Sequence, residues 1–231
     1  MSRRHFGIIF LLCSALLMFL ACSPASRKRG VSPEINIAQD LPEGKGDAYL
    51  YDLKIYREGK KNSVRLDVYR NRDSLSFFAR GYLGKGVLKG LVTDGMILAY
   101  FPTEGEYFTG EIEELINNGC FGELAFEKML IDLFGTTPDR LEYYYVNFYL
   151  MTLKDKTDKK KFRLRSKVCP EQMELEYDLK ENRFLLEKVV YTVDDDSFKL
   201  TAERRKYRLN IDIPGEKFKI DIPSSAARIS P

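Results

Sequence analysis

The side chains that most often carry enzyme chemistry are scarce in this chain of 231 residues. Its one histidine is His5, which lies in a basic and apolar leader, so the chain that follows the leader has none. That absence excludes a Ser-His-Asp triad, a Cys-His pair and a histidine-ligated zinc or iron site in the mature chain. We therefore expect a protein with no metal site and no cofactor.

Carboxylates are the remaining groups with catalytic potential, and they occur in two places. The triplet Asp194 to Asp196 lies between two segments of alternating hydrophobicity, and Glu171 and Glu174 begin another such segment. Carboxylates can perform general acid-base chemistry or bind calcium. An acidic triplet between two strands is more often a solvated hairpin turn. A non-enzymatic protein is therefore the favoured interpretation, and an enzyme is a rival one.

The first 21 residues have the organisation of a secretory signal peptide. Two arginines precede an uncharged run of 16 residues, Phe6 to Ala21, which is shorter than the roughly 20 residues of a membrane-spanning helix. The run is followed by Cys22 and Ser23, and this junction resembles the lipidation site of bacterial lipoproteins. The resemblance implies cleavage before Cys22, diacylglyceryl attachment to its sulfur, and sorting to the outer membrane with the protein facing the periplasm. An ordinary signal peptide or an uncleaved anchor is the alternative.

The charge balance of the chain changes once the first 30 residues are set aside. From Val31 onward there are 32 basic and 34 acidic side chains, so the basic pI of about 8.5 comes from the amino-terminal segment. Nucleic acid is accordingly a poor candidate partner. The triplet Arg27 to Arg29 beside the lipidated cysteine suits contact with anionic headgroups.

Two of the four cysteines remain available for pairing, because Cys13 leaves with the signal peptide and Cys22 is acylated. Cys120 and Cys169 would face an oxidising compartment and could form a disulfide. Two buried free thiols are the alternative.

The body of the chain is predicted to be mostly β. Residues 22–46 contain three prolines and little periodicity, which predicts a flexible tether between the signal peptide at 1–21 and a single domain at 47–231. Alternating hydrophobicity then indicates antiparallel strands with one apolar face, so the sheet must curl or be covered. The alternating segments are Tyr49–Ile55, Val64–Val68, Phe162–Leu164, Met173–Leu179, Tyr207–Ile213 and Phe218–Ile222.

Two helices are predicted where the alternation stops, at Glu111–Asn118 and Glu123–Phe134, with Thr109 as the N-cap of the first. Apolar residues recur at helical spacing along the second, and they predict a small helical cover over an apolar cavity in the curled sheet, or half-barrel. A filled core is the alternative. The residues of this cover are Phe126, Met129, Leu130, Leu133 and Phe134.

The order of elements and several local strings resemble the LolA/LolB superfamily of lipoprotein carriers and acceptors, and its anchored LolB branch in particular. The resemblance covers residues 47–222 and rests on order and spacing. The matching strings are Gly81–Gly86, Val87–Thr93, Asp94-Gly95, Met96–Phe101, Glu104–Thr109, Leu133–Gly135 and Phe218–Pro223.

The resemblance implies a monomeric, lipid-anchored acceptor. Acylated lipoprotein cargo or lipid would enter an apolar cavity, delivered by a periplasmic LolA-like carrier, and would leave into the outer membrane. Leu83 occupies the matching hairpin tip, where its burial in a bilayer would contribute about 1.5 to 3 kcal/mol. Alternatively, Leu83 folds back onto the sheet, or a single exposed leucine has no function. A separate alternative for the whole protein is an envelope-assembly scaffold that binds a protein partner through the same fold.

Overall fold

The computed structural model describes residues 44–57, 59–71, 74–93, 95–111, 148–167, 170–193 and 198–229. These residues form twelve strands and two short 3₁₀ helices, Tyr82–Gly84 and Gly215–Phe218. No helix within the described ranges is long and apolar enough to cross a membrane. The strands are β1 Gly44–Arg57, β2 Lys60–Arg70, β3 Ser74–Arg80, β4 Gly86–Thr93, β5 Met96–Phe101, β6 Glu106–Glu111, β7 Phe148–Asp155, β8 Lys159–Ser166, β9 Glu171–Lys180, β10 Arg183–Val193, β11 Phe198–Ile213 and β12 Ala227–Arg228.

All twelve strands belong to one sheet, in the order β12-β6-β5-β4-β3-β2-β1-β11-β10-β9-β8-β7. Neighbours are antiparallel except for β12, which runs parallel to β6. The sheet consists of two meanders, β1 to β6 and β7 to β11, joined where β1 pairs with β11. The prediction of a mostly β fold with an antiparallel sheet is confirmed. Among the described residues the sheet is not closed into a barrel, because β12 and β7 are its two edges.

One face of the sheet, here called the inner face, carries a continuous apolar cluster. Strands β1 to β6 and β8 to β11 all contribute buried side chains to it. Tyr51, Ile55 and Tyr177 are among its least exposed members, at 1%, 1% and 2%. Because side chains alternate between faces along a strand, the apolar positions of the alternating segments Tyr49–Ile55 and Val64–Val68 lie on this face.

The opposite, outer face carries a smaller apolar cluster on β4 to β6. Leu91, Leu98 and Tyr107 belong to it, and the chain after β11 packs onto them. Phe218 from that segment is only 1% exposed, and Ala226 is also buried there. The carboxyl-terminal segment therefore covers the outer face of the first meander.

The predicted closing strand Phe218–Ile222 is wrong. Gly215–Phe218 forms a 3₁₀ helix and residues 219–226 contain no strand. Ile220 and Ile222 pack against the outer cluster, and the Ser76 hydroxyl donates a hydrogen bond to the carbonyl of Lys217. Alternating hydrophobicity shows only that one side of an extended segment is apolar. Here the segment packs with its apolar side on top of the sheet and does not pair with the strands of that sheet.

The beginning of the predicted helical region is also different. Thr109 and Glu111 belong to β6, so Thr109 is not an N-cap and Glu111 does not start a helix. The rest of both predicted helices lies outside the described residues. Within the described residues only the two 3₁₀ helices are helical, and the helical cover stays a prediction.

A bulge near the end of β11 exchanges the faces of its side chains. Asn210 has a φ of 52°, and its backbone N–H donates to Asp47 Oδ1 at 3.1 Å. Leu209 before the bulge packs with the inner cluster, whereas Ile211 after it packs with the outer cluster. One extra residue in a strand reverses the faces of everything beyond it.

Candidate functional site: an exposed tip and an apolar face

The β3–β4 hairpin ends in a tight tip that directs one leucine away from the sheet. The N–H of Gly81 donates to the carbonyl of Lys85 at 2.9 Å, and the N–H of Gly84 donates to the carbonyl of Gly81 at 3.1 Å. Leu83 and Gly84 have φ values of 59° and 74°. The left-handed region costs a non-glycine residue about 1 to 2 kcal/mol, so the tip holds Leu83 in an unfavourable conformation.

Leu83 is 79% exposed, the most of any large apolar side chain among the described residues. The alternative in which Leu83 folds back onto the sheet is therefore wrong. The tip presents an aliphatic side chain to its surroundings at the end of a hairpin that is anchored in the sheet by β3 and β4.

The Leu83 tip and the beginning of β1 lie at opposite ends of the sheet. β1 begins at Gly44, and β2 turns back beside it so that Arg65 pairs with Asp52 of β1. Arg65 also pairs with Arg80, the last residue of β3. We call the end with Leu83 the tip end and the end with Gly44 the base end.

A groove of about 440 Å³ lies beside the tip on the outer face. Leu83 itself forms part of its wall, so the exposed leucine and the groove share one surface. The groove is lined by Asp52, Leu53, Lys54, Ser63, Val64, Arg65, Arg80, Gly81, Leu83 and Gly84.

The inner face contains one buried carboxyl at the tip end, that of Glu171. This residue is 5% exposed, and its Oε2 atom has no hydrogen-bond partner in the described part of the chain. Burial raises the pKa of the Glu171 carboxyl above its usual range, and a hydrogen bond with Tyr191 opposes that shift only in part. The tip end of the inner face therefore favours a neutral carboxyl more than an exposed site would.

Ion pairs occupy the base end of the sheet. Arg183 Nη2 donates to Asp47 Oδ2 at 2.8 Å, and Arg70 Nη1 lies 3.6 Å from the same oxygen. Arg204 pairs with Asp178 and both side chains are buried, at 5% and 9% exposed. The apolar face is thus bounded by charged groups that already have partners.

The two glutamates considered for catalysis do not form a pair. Glu171 faces the inner cluster, whereas Glu174 lies three residues along β9 on the outer face. There Arg163 Nε donates to Glu174 Oε1 at 2.9 Å, and Lys161 Nζ lies 2.8 Å from Oε2. Because the two carboxyls are on opposite faces of one strand, they cannot share a substrate as acid and base.

Several residues singled out in the sequence lie outside the described residues. They are Cys22, Cys120, Cys169, Asp194 to Asp196, and the predicted cover residues Phe126, Met129, Leu130, Leu133 and Phe134.

An apolar strip on the edge strand β7 was not predicted from the sequence. Tyr149, Met151 and Leu153 are 61%, 52% and 38% exposed, and they share the outer side of the strand. Leu150 from the same strand packs against the inner cluster. The sequence contains an indication of this strip. Apolar residues occur at both odd and even positions between Phe148 and Leu153, which is typical of a strand with two apolar sides.

No protein-family model matches the chain, and no curated protein matches its sequence. Among solved structures it is similar to an uncharacterized conserved protein from Thermus thermophilus, with 10% identity and a TM-score of 0.46 over 79% of this chain and 89% of that one. A DUF1329 family protein from Desulfovibrio piger gives 8% identity and a TM-score of 0.44, covering 76% and 90%. A LolA superfamily protein from Nitrosomonas europaea gives 10% identity and a TM-score of 0.37, covering 79% and 93%.

Proposed function

We propose that this protein is a non-enzymatic, lipid-anchored lipoprotein of the outer membrane that accepts acyl chains on its inner face and delivers them to the membrane at the Leu83 tip. In this proposal Cys22 carries the lipid anchor and the domain faces the periplasm. A soluble periplasmic carrier of the LolA type supplies the acylated lipoprotein, as the resemblance in the sequence implies.

The exposure of Leu83 is the observation that carries this proposal. A leucine held in a left-handed conformation and 79% exposed contributes little packing to the fold. Transfer of the side chain into a bilayer would contribute about 1.5 to 3 kcal/mol. The tip is therefore better suited to entering an apolar phase than to stabilising the sheet.

Acyl transfer requires apolar surfaces of different affinity and no catalytic group. The inner cluster extends over ten strands, and its side chains are buried in this structure. The cover predicted from the sequence, with Phe126, Met129, Leu130, Leu133 and Phe134, lies outside the described residues and stays a prediction within this proposal.

The delivery step is tested with Leu83→Glu, which places a charge at the tip. Transfer of an acylated lipoprotein from the purified protein to vesicles should fall at least ten-fold, because about 1.5 kcal/mol of apolar insertion is lost. The matched control is Leu83→Met, which keeps an apolar side chain of similar volume at the same position and should leave delivery unchanged. Normal delivery by Leu83→Glu would exclude the tip from the transfer step.

The acyl-binding step is tested separately, with protein that lacks residues 1–30. Native mass spectrometry should detect bound lipid, or lipoprotein taken from a carrier, in both the parent and Leu83→Glu. If no preparation ever takes lipid, the inner face is a filled core and a protein-binding function is favoured.

The strip on β7 supports that second function, an envelope scaffold that binds a protein partner. β7 is an edge strand among the described residues, and edge strands with free backbone groups can pair with another chain. Tyr149 and Met151 would supply apolar contacts beside that pairing. Met151→Lys should then abolish the complex with the partner, measured by size-exclusion chromatography of envelope extracts, and should leave lipid binding unchanged.

A further inference from the structure

The groove beside Leu83 contains two arginines in an arrangement that isolated sheets avoid. The register of β2 and β3 places Arg65 directly opposite Arg80, and both lie on the outer face. Side chains that are directly opposite in an antiparallel pair have Cβ atoms about 5 Å apart, and like charges there are destabilising. The arrangement becomes favourable when an anion lies between the two guanidinium groups.

The carboxylates around the groove neutralise these arginines only in part. Arg80 pairs with Asp67. Arg65 Nε lies 4.0 Å from Asp52 Oδ1 and its side chain is 62% exposed, whereas the other oxygen of Asp52 accepts a hydrogen bond from Arg205 at 2.6 Å. Arg65 therefore has a weaker ion pair and a more exposed side chain than Arg80.

A third cation adds to the positive charge of the groove. Lys54 also lines it, and its nearest carboxylate is Glu203, at 3.5 Å, which also pairs with Lys188 at 3.0 Å. The lining thus holds Lys54, Arg65 and Arg80 against the single carboxylate of Asp52. A volume of about 440 Å³ is within the usual range of small-molecule sites.

We propose that this groove binds the phosphate of an anionic phospholipid headgroup, with Arg65 and Arg80 as its ligands, when the Leu83 tip enters the membrane. The planar fork of arginine matches phosphate oxygens in pairs. This inference rests on the proposed entry of Leu83 into a bilayer. Leu83 forms part of the groove wall, so insertion of the leucine brings the groove to the depth of the headgroups.

The absence of tryptophan from the chain makes a local reporter available. In the full-length protein reconstituted into vesicles, Leu83→Trp introduces a unique indole, whose emission shifts to the blue when the tip enters the bilayer. The ratio of inserted to free tip is measured in phosphatidylcholine vesicles and in vesicles that also contain phosphatidylglycerol. The reporter responds to the tip alone, so membrane attachment elsewhere does not mask the result.

We expect more insertion of the tip in the vesicles that contain phosphatidylglycerol than in those without it. Arg65→Gln and Arg80→Gln should each abolish this preference. Each change should lower the ratio of inserted to free tip about five-fold, since a cation near an anionic surface contributes about 1 kcal/mol. Arg208→Gln is the matched control, because Arg208 is exposed and lies on β11 towards the base end. Arg65→Lys, which keeps the charge, should retain part of the preference, and circular dichroism verifies the fold of every variant.

Three outcomes would overturn the assignment, and they differ from one another. Equal insertion in both kinds of vesicle, unchanged by Arg65→Gln, would remove the headgroup site and leave the tip function intact. An indole that enters no vesicle would remove the tip function and the headgroup site together. If inorganic phosphate, at constant ionic strength, abolishes the preference, the groove binds soluble phosphate and not a lipid headgroup.

Discussion

Arg183 at the start of β10 reaches across β11 to bind Asp47 on β1, with Nη2 2.8 Å from Oδ2 and Nη1 3.4 Å from Oδ1. The same carboxylate accepts the N–H of Asn210 at the bulge in β11 and lies 3.6 Å from Arg70 on β2. Asp47 is 4% exposed. One buried side chain therefore joins four strands at the place where the two meanders meet.

Removal of that carboxylate should strongly destabilise the fold. Asp47→Ala removes the carboxylate that accepts from Arg183 and from the bulge N–H, and we expect the free energy of unfolding to fall by about 3 kcal/mol. Arg183→Ala should cost less, because the Arg183 side chain is 39% exposed. Urea denaturation measures both. The exposed Asp212 serves as control, where replacement by alanine should change stability by less than about 0.5 kcal/mol. Equal losses at Asp47 and Asp212 would contradict the role of Asp47.

Glu171 should make the protein less stable at neutral pH than at acid pH. Burial raises the pKa of its carboxyl in the folded state, so the unfolded chain ionises first, from about pH 4.3. Stability then declines as the pH rises, until the folded carboxyl has ionised too. Glu171→Gln removes this decline and should raise the free energy of unfolding at pH 7 by about 1 kcal/mol, measured by urea denaturation between pH 4 and pH 8.

Glu174, on the same strand, provides a control in which the pKa of the carboxyl is shifted in the opposite direction. Its burial disfavours ionisation, but hydrogen bonds from Lys161 and Arg163 outweigh that effect and hold the pKa of the carboxyl below its usual range. The stability from these pairs is present above the unfolded pKa and is lost as the pH falls through the folded one. Glu174→Gln should therefore destabilise at pH 7, by up to about 1 kcal/mol because water screens the pairs. A loss of stability at pH 7 in Glu171→Gln would show that Glu171 is needed in its ionised form.

Gly90 should tolerate no side chain, because the Phe77 ring lies on it. A Cβ atom at Gly90 would be 1.9 Å from Cζ of Phe77, and Phe77 is 7% exposed, so its ring has little room to move. Gly90→Ala should cost about 1 to 3 kcal/mol, measured by thermal and urea denaturation. Gly86→Ala on the same strand is the matched control, since its nearest neighbour, Pro102 Cγ, is 3.9 Å away. The addition of Phe77→Leu should recover part of the loss at Gly90, and a loss as small as at Gly86 would disprove the close packing.

The alternating segments between Tyr49 and Ile213 predicted their strands because a half-buried strand has a period of two. Phe218–Ile222 has the same period because its apolar side chains pack on top of the sheet. A sequence pattern does not distinguish this kind of burial from that of a strand within the sheet. β7 was missed because both of its sides are apolar. The exposure of Leu83 agrees with its expected place at a glycine-flanked tip. The opposition of Arg65 and Arg80 depends on strand register, which becomes evident only when the pairs of β2 and β3 are known.

The bulge at Asn210 also has a consequence for how the protein unfolds. Leu209 and Ile211 are two residues apart on β11 and pack against different apolar clusters. Loss of packing in either cluster therefore disturbs the same strand. The two clusters should therefore unfold in a single cooperative transition, and amide hydrogens on the two sides of the bulge should exchange with the same free energy of opening in mild denaturant.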